Sequence, residues 1–536
     1  MKMKNIEKAL PLRQPLWRWP RAHALRDGLL RSLVPALVPL LLFGLWWLAA
    51  QQHWMSSQIL PAPALVWESG RELFAGELWQ QLGISLQRLG LGLLAGVSAG
   101  LVLGAWMGAN RTVERCVLPT FTALAQVPTL AWIPLFMLFF GIGEVLKLVV
   151  LVKAVIVPVT LHTLVGVRDA QPRLREAAAV LRLPPRLQIT RLILPAALPA
   201  FLTGLRLALA QGWTSLLAVE LLASSEGIGY LMVQSRQLFM LDVVFVCILV
   251  VGLVGGTLDQ LVQYLDRRLV HWPQPPTGAF QRSPAGRGWQ RLQSGLLPLA
   301  LIGIWQAASS LHWVDAAILA SPWEVLRAAG QGLLDGTLSG AWLDSLKRTL
   351  AGLLLGGALG FGSGLLLGLL RPAERLFGPT LAGLRQVAIF AWVPLLTAWF
   401  GLGELAKVVF VSLAAFFPLL LATQRGIASL PPELGEAARV LRLNPWQRLR
   451  RLVLPGAAPS VFAGIRLALI YSWLGTIGAE YFMPSDGGIG SAMIGAQQLF
   501  RMDVVSAGML LVGITGALLA ALGQRIEARA TRWRHA

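Results

Sequence analysis

The feature that most constrains the fold is an internal duplication of the chain. The segment EAAAVLRL at 176–183 returns as EAARVLRL at 436–443, which is 260 residues later. Between 174–209 and 434–469, 20 of the 36 aligned positions are identical. A repeat of this length predicts two structural units of the same topology within one polypeptide.

Long apolar runs place both repeats in a membrane. Only 13% of the residues are charged and 55% are hydrophobic, whereas about 25% of a soluble chain is charged. A bilayer core about 30 Å thick needs roughly 20 apolar residues per helix, and each repeat supplies six such runs. We predict an all-α polytopic membrane protein of about twelve transmembrane helices, at about 33–50, 85–108, 118–140, 145–167, 196–222, 240–264, 295–313, 345–370, 377–400, 405–427, 456–483 and 504–524.

The excess of basic residues indicates orientation. The chain has 46 Lys and Arg against 26 Asp and Glu, a net charge of +20. Nucleic-acid-binding proteins cluster their cations on a solvated face, but here the cations lie between apolar runs, as in cytoplasmic loops. We therefore predict cytoplasmic N- and C-termini, contact with membrane lipid and no nucleic-acid partner.

The pattern of charge and composition divides the chain into five segments. Two six-helix domains are joined by a linker rich in Pro and Gly, and a basic cytoplasmic tail lies at each end. The predicted segments are the tail 1–32, the first domain 33–268, the linker 269–293, the second domain 294–526 and the tail 527–536.

The loop 168–191 and its copy 428–451 predict short helices on the cytoplasmic face. In each loop two prolines can open a helix, because a missing N–H is not needed in the first turn. An apolar face follows at helical spacing, formed by Leu174, Ala177, Ala178 and Leu181 and, in the copy, by Leu434, Ala437, Ala438 and Leu441. The small alanines favour docking to a partner protein over the alternative, a helix resting on lipid headgroups.

The Glu-Ala-Ala run followed by Leu-Pro resembles the EAA loop of permease subunits of binding-protein-dependent ABC importers. In that family the loop forms coupling helices that dock into an ATPase subunit. The family commonly has glycine six residues after the glutamate, where this chain has Arg182 and Arg442. This departure leaves the geometry of the turn open and suggests an ATPase with a compensating surface. The resemblance assigns ATPase coupling to Glu176, Ala177, Ala178, Leu181, Arg182, Pro195, Glu436, Ala437, Ala438, Leu441, Arg442 and Pro455.

Further segments resemble the nitrate, sulfonate and taurine permeases. They include ILPAPALVW at 59–67, AVELLASSEGIGYL at 218–231 and LDRRLVHW at 265–272. Members of that family are normally six-span chains that pair as dimers. The resemblance implies two type I ABC importer permease repeats fused in one chain, one chain per transporter, in a bacterial inner membrane.

The same resemblance implies partners that hydrolyse ATP and deliver solute. None of the seven lysines precedes Ser or Thr, so the phosphate loop GxxxxGK[ST] is absent from the sequence. The chain is therefore expected to be a transport subunit without catalytic residues, metal site or cofactor of its own. ATP and Mg are expected on two separate ABC ATPase subunits, and a periplasmic solute-binding protein is expected on the outer face.

Ionisable residues inside spans are costly and are candidates for function. Arg206 and Arg466 lie about 16 Å along a helix from Pro195 and Pro455, where they could line a path for an anion or brace the cytoplasmic loop. Prolines near Gln126 and Gln386 predict broken third spans that line this path. The candidate substrate-pathway residues are Arg206, Arg466, Lys153, Arg385, Gln126 and Gln386, and Glu220 and Glu480 are predicted to organise an outer gate.

Two functions of different classes fit the pattern. The first is the fused permease of an ATP-driven importer for a sulfonate, taurine, nitrate or sulfate-ester type of anion. The alternative is a twelve-helix secondary transporter that needs no ATPase. The GxxxDRxGRR-like loop expected in a major facilitator is matched poorly by GANRTVER and LLRPAER, which favours the importer.

Overall fold

The computed structural model describes residues 26–168, 176, 178, 180–271, 288–313, 315, 318–484 and 487–532, with the backbone alone at 26–33, 185 and 288–294. Every regular element in these ranges is a helix, which confirms the all-α fold. Most of the predicted N-terminal tail and of the linker lies outside the described residues.

Ten α-helices build the described part of the first repeat. Short 3₁₀ and π-helical segments, Leu130–Trp132 and Ile189–Ile193, connect some of them. The helices are α1 (Arg26–Gln51), α2 (Pro63–Ala75), α3 (Leu78–Ala109), α4 (Arg111–Gln126), α5 (Ile133–Phe140), α6 (Glu144–Arg168), α7 (Pro185–Gln188), α8 (Leu194–Ala223), α9 (Ile228–Gln237) and α10 (Leu241–Leu269).

The second repeat follows the same order of elements. It has a 3₁₀ segment at Ile389–Trp392 and a π-helical segment at Leu449–Val453. Its helices are α11 (Gly288–Ser310), α12 (Pro322–Leu334), α13 (Thr337–Leu369), α14 (Arg371–Gln386), α15 (Val393–Phe400), α16 (Glu404–Ala428), α17 (Pro432–Val440), α18 (Pro445–Arg448), α19 (Leu454–Phe482), α20 (Ile489–Gln498) and α21 (Met502–Ala530).

The spans are less uniform than the apolar runs predict. Among the described residues, nine helices are long and apolar enough to cross a bilayer, or up to eleven if each bent pair is one span. The predicted span at 295–313 is not among these helices and corresponds to a shorter apolar stretch, Gly295–Ser310 within α11. The predicted third spans, 118–140 and 377–400, are the bent pairs, with angles of 87° between α4 and α5 and 93° between α14 and α15.

The bends have a local cause in the sequence. Each distal helix carries a proline in its first turn, Pro134 in α5 and Pro394 in α15, where the missing N–H favours a new helix start. Pro128 lies in the first break, but the second break has Ala388 at the same place and bends as sharply. The surrounding packing therefore contributes to the bend as well as proline.

Within each repeat, glycines let the long helices approach closely. In α13 a glycine recurs every fourth residue along the face that packs on α16, as it does in α3 against α6. A Cβ at Gly360 would lie 2.5 Å from the Phe416 carbonyl oxygen, and a Cβ at Gly100 would lie 2.8 Å from the Val159 Cβ. Small residues at such positions are typical of packed membrane helices.

The two repeats interlock through the bent spans. Val127, at the break of the first repeat, packs on Gly513 of α21, and Val387 packs on Gly252 of α10. Buried residues of both repeats form one continuous apolar cluster. The last long helix of each repeat therefore closes against the bent span of the other.

Candidate functional site

The loop of the second repeat forms the predicted pair of short helices. Proline occupies the first turn of both α17 and α18. Gly435 and Ala438 face the body of the protein and are buried, while Glu436 and Ala437 are exposed. Only one side of α17 thus contacts the rest of the chain, and the other side is open.

The loop of the first repeat has the same arrangement where it is described. Glu176 is exposed, Ala178 is 3% exposed, and α7 begins at Pro185. The predicted coupling residue Ala177 lies outside the described residues. Pro195 and Pro455 are each the second residue of the long helix that follows, α8 and α19.

Arginine occupies a left-handed turn near the middle of each loop. Arg182 has φ +45° and Arg442 has φ +49°, the left-handed conformation that glycine usually supplies at this position. The N–H groups of Leu443 and Arg442 donate to the carbonyls of Ala438 and Arg439, both at 3.0 Å. The turn expected from glycine is therefore kept with arginine in its place.

Two of the predicted intramembrane cations are ion-paired. The Arg206 Nε lies 2.6 Å from a carboxylate oxygen of Asp259, and an Arg466 nitrogen lies 3.1 Å from one of Glu527. The first pair joins α8 to α10, and the second joins α19 to α21. Both arginines keep part of their surface open, 43% and 33% of the side chain, so they brace two helices without being sealed from the surroundings.

Candidate residues of both repeats converge on Asp259. Gln386 is within hydrogen-bonding reach of its carboxylate, and Arg385 lies close enough to Asp259 and Arg206 for electrostatic interaction. The equivalent place near Arg466 has Ala125 instead of Arg385. The inner side of the interface between the repeats is therefore asymmetric in charge.

Lys153 lies at the break of the first bent span. Its ammonium donates to the Val127 carbonyl at 2.7 Å and to the Thr129 hydroxyl at 3.3 Å, and it lies 5.6 Å from the centre of the Trp132 ring. The position is about 14 Å from the start of α6, near the middle of a bilayer. A broken helix leaves carbonyls without partners, and Lys153 satisfies one of them.

Gln126 and Gln386 are the last residues of α4 and α14, beside the last long helix of the other repeat. A Cβ at Gly255 would lie 2.8 Å from the Gln386 carbonyl oxygen, and one at Gly516 would lie 3.4 Å from that of Gln126. Both glutamines thus lie where the repeats meet.

An apolar contact in which both repeats take part surrounds Gly478. A Cβ there would lie 2.7 Å from the Phe390 ring and 3.2 Å from Leu130. Leu130 and Phe390 occupy equivalent places in the two 3₁₀ segments, and each is 7% exposed. The larger ring of Phe390 is accommodated because residue 478 is glycine, whereas its counterpart in the first repeat is Ala218.

Glu220 and Glu480 are the centres of two buried ionic clusters. Glu220 accepts hydrogen bonds from Ser85, from Arg88 at 2.9 Å and from the N–H of Gly229. Arg88 also forms a two-pronged ion pair with Glu144, whose side chain is 58% exposed. The second repeat has the same set, which consists of Glu480, Ser345, Arg348, Gly490 and Glu404.

The cluster of the first repeat holds in place the turn between α8 and α9. Arg88 donates to the Glu226 carbonyl, and the N–H of Gly227 donates to Gln81 on α3. Gly227 has φ +103°, and a Cβ there would meet the Glu220 carboxylate, so only glycine fits. The cluster thus ties this turn to α3 and, through Glu144, to the start of α6.

Four members of these clusters were missing from the sequence prediction. Arg88, Arg348, Lys147 and Lys407 are buried and ionisable, at 0–5% exposure. Each recurs at the 260-residue offset inside or at the edge of an apolar run. That recurrence was a usable signal, because a charge kept twice within a span needs a partner.

Comparison with known proteins gives the family context. Residues 96–271 and 352–533 both match the family model described as a binding-protein-dependent transport system inner membrane component. The chain is similar to an aliphatic sulfonates transport permease protein of Bacillus subtilis, 36% identical over 263 residues that cover 49% of this chain and 95% of that protein. It is similar to the taurine transport system permease protein of Escherichia coli, 34% identical over 50% of this chain and 97% of that protein.

A bicarbonate transport system permease protein of Synechococcus elongatus is 32% identical over 47% of this chain and 94% of its own length. About half of the chain is therefore sufficient to match nearly the whole of each relative.

Proposed function

Because the chain belongs to the family of inner membrane components of binding-protein-dependent transport systems, we propose that it forms the whole membrane part of one ATP-driven importer for a small anion. The family match covers both repeats. Similar proteins are named as permeases, each about the length of one repeat, so the chain is a transport subunit of the ABC type with two permease units.

The observation that carries the proposal is the interlocking of the repeats. The Val127 contact with Gly513 and the Val387 contact with Gly252 join each bent span to the other repeat. Two identical chains related by a twofold axis would make such an interface between subunits. Here one polypeptide supplies both sides, and one chain therefore encloses one pathway.

Two coupling helices per chain imply two ATPase subunits. The open side of α17 carries Val440 and Leu441, 83% and 69% exposed, and Val180 and Leu181 have the same exposures in the first repeat. Paired apolar side chains at the tip of a short helix are suited to a protein groove. ATP and Mg bind to those partner subunits, and this chain transmits their movement.

The charges at the interface between the repeats support an anionic substrate. Cations lie along the line where the repeats meet. Lys153 is near the midplane, and Arg385 and Arg206 lie closer to the cytoplasmic side. Gln126 and Gln386 lie beside them. A sulfonate, taurine, nitrate or sulfate ester would find hydrogen-bond donors at these levels, consistent with the sulfonate and taurine permeases among the relatives.

Leu130 and Phe390 close the pathway at its centre in this conformation, and the two glutamate clusters hold its outer side. Glu220 and Glu480 bind the glycine-rich turns and also Ser85 of α3 and Ser345 of α13, which supports a role for them in an outer gate. A periplasmic binding protein delivers solute to that side. The chain lies in the inner membrane, with both termini in the cytoplasm.

The test is to make the chain with its ATPase and to measure uptake of labelled taurine, an alkanesulfonate and nitrate. The double variant Glu176→Lys and Glu436→Lys reverses a charge on each coupling helix and should abolish ATPase association and uptake while the chain still inserts. The control, Glu68→Lys and Glu72→Lys, makes the same change on the exposed side of α2 and should keep the ATPase.

Two results would overturn the importer. Uptake that survives the Glu176 and Glu436 changes and needs only an ion gradient would support the secondary transporter instead. ATP-dependent uptake of none of the three probes would refute the proposed substrate class alone.

A further inference from the structure

Two arginines hold a backbone conformation that favours glycine, one at the end of each coupling helix. Arg182 and Arg442 have φ +45° and +49°. In the left-handed region the Cβ of any other residue crowds the following carbonyl oxygen. The hydrogen bonds from Leu183 to Ala178 and from Leu443 to Ala438, both 3.0 Å, show that each turn is fully formed.

Neither side chain has a compensating contact in the part of the chain that the structure describes. Within the described ranges neither guanidinium has an ion pair or a hydrogen bond to a protein group, and both residues are exposed. Proximity to the helix C-terminus favours a cation by a small amount, which bears on the stability of the loop alone. A contact beyond the described residues would account for arginine at both places.

The surroundings define what that contact requires. Each arginine directly follows two exposed apolar residues, Val180 and Leu181 or Val440 and Leu441. The segments 168–191 and 425–451 each contain six arginines against two acids. The tip of each loop is therefore an apolar pair beside a cation, on a strongly basic background.

We propose that Arg182 and Arg442 each pair with a carboxylate on the ATPase subunit, at the rim of the groove that takes the Val-Leu pair. The inference rests on the proposed function, since it presupposes an ATPase. A guanidinium pairs with a carboxylate through two parallel hydrogen bonds, so this contact requires a fixed position. The left-handed turn supplies that position immediately beyond the helix.

Anionic lipid is the other source of negative charge on this side of the membrane. Each segment contains five further arginines, which are available for headgroups at other places in the loop. A lipid contact gives no reason for the strained place to carry arginine, or for its position beside exposed apolar side chains. The ATPase is the better occupant.

The experiment uses the full chain in nanodiscs and the ATPase subunit that is isolated bound to the wild-type chain. Arg182→Asn with Arg442→Asn removes both charges but keeps a residue that tolerates the left-handed turn. Arg182→Lys with Arg442→Lys keeps the charge. Phe239 and Phe500 have φ +58° and +56° at the opposite end of the bundle, so Phe239→Gly with Phe500→Gly is a control that also changes a strained turn.

We expect the Asn pair to bind the ATPase at least about tenfold more weakly at low salt, because two charge-assisted bonds are lost. The salt dependence of binding should also become shallower. The Lys pair should fall between the Asn pair and the wild type, and the Phe control should bind as the wild type does.

Unchanged affinity and salt dependence in the Asn pair would overturn the inference. So would a loss of affinity that occurs in nanodiscs of anionic lipid and disappears in zwitterionic lipid, because the contact would then be to headgroups. If no ATPase accompanies the wild-type chain, the proposed function fails together with this inference, whereas equal binding by all variants refutes the inference alone.

Discussion

The ammonium of Lys153 lies 2.7 Å from the main-chain carbonyl oxygen of Val127, so a side chain of α6 donates a hydrogen bond to a carbonyl at the break of the neighbouring bent span. The second repeat has Leu413 at the position of Lys153, and its break consists of Val387 and Ala388. The two repeats share a topology but differ in charge near the middle of the membrane. The first repeat therefore carries a basic residue near the middle of the membrane where the second has leucine.

Replacing Lys153 with Met removes this charge at similar volume. We expect uptake of an anionic probe to fall about tenfold, since a charge-assisted hydrogen bond contributes about 1.5–3 kcal/mol. ATPase association should persist, because the residue is far from the coupling loops. Leu413→Met is the matched control in the other repeat and should transport normally. Equal uptake by both variants would remove Lys153 from the pathway.

The buried cluster around Glu480 should contribute strongly to stability. Arg348→Ala leaves the Glu480 carboxylate buried without its cation, a change that costs about 3–5 kcal/mol in comparable pairs. The midpoint of thermal unfolding in detergent should fall clearly. Arg501→Ala breaks the exposed pair with Asp503 and should cost less than about 1 kcal/mol. Similar midpoints for the two variants would show that the cluster is not structural.

Two glycines of α13, Gly360 and Gly362, allow the effect of close helix packing on stability to be distinguished from the effect of helix propensity. A Cβ at Gly360 would lie 2.5 Å from the Phe416 carbonyl oxygen, whereas Gly362 has open space around it. Gly360→Ala should destabilise the protein by about 1–3 kcal/mol because α13 must move away from α16. Gly362→Ala should be neutral or stabilising by up to about 1 kcal/mol. Thermal unfolding in detergent measures both, and equal shifts would argue against the close approach.

The Phe390 ring should be part of a central barrier to solute. Phe390→Ala removes its contact with Gly478 and should let labelled taurine leak through proteoliposomes without ATP. A cavity of this kind also costs about 3–5 kcal/mol, so a folded fraction has to be confirmed by gel filtration. Phe400→Ala changes an exposed ring on α15 and should remain tight. A tight Phe390→Ala protein would exclude this residue from the barrier.

The sequence was sufficient for the two repeats, most of the spans and the short helices of the loop in the second repeat, since these follow from the duplication, apolar length and proline position. Prolines near Gln126 and Gln386 predicted both broken third spans, but Ala388 replaces Pro128 in the second break, where packing against Gly252 and Gly255 also contributes to the bend. The sequence left the geometry of the turn at Arg442 open, and local hydrogen bonds form there the left-handed turn that glycine usually supplies.

Partners of the intramembrane charges could not be read from the duplication. Arg206 pairs with Asp259, but the position equivalent to Asp259 in the second repeat carries no acid, and Arg466 pairs with Glu527 instead. Such pairings depend on helix rotation and depth, which a single sequence leaves open. The partners of Arg88 and Arg348 lie 56 and 132 residues away along the chain, so the sequence near either arginine does not show them.

The central claim is that one chain provides both halves of the pathway and docks two ATPase subunits. Native mass spectrometry of the complex, released from nanodiscs in mild detergent, measures this composition directly. The account predicts one copy of this chain with two ATPase subunits. Glu176→Lys should leave one ATPase subunit bound, and Glu176→Lys together with Glu436→Lys should leave none. A complex with two copies of this chain, or a functional chain without any ATPase, would contradict it.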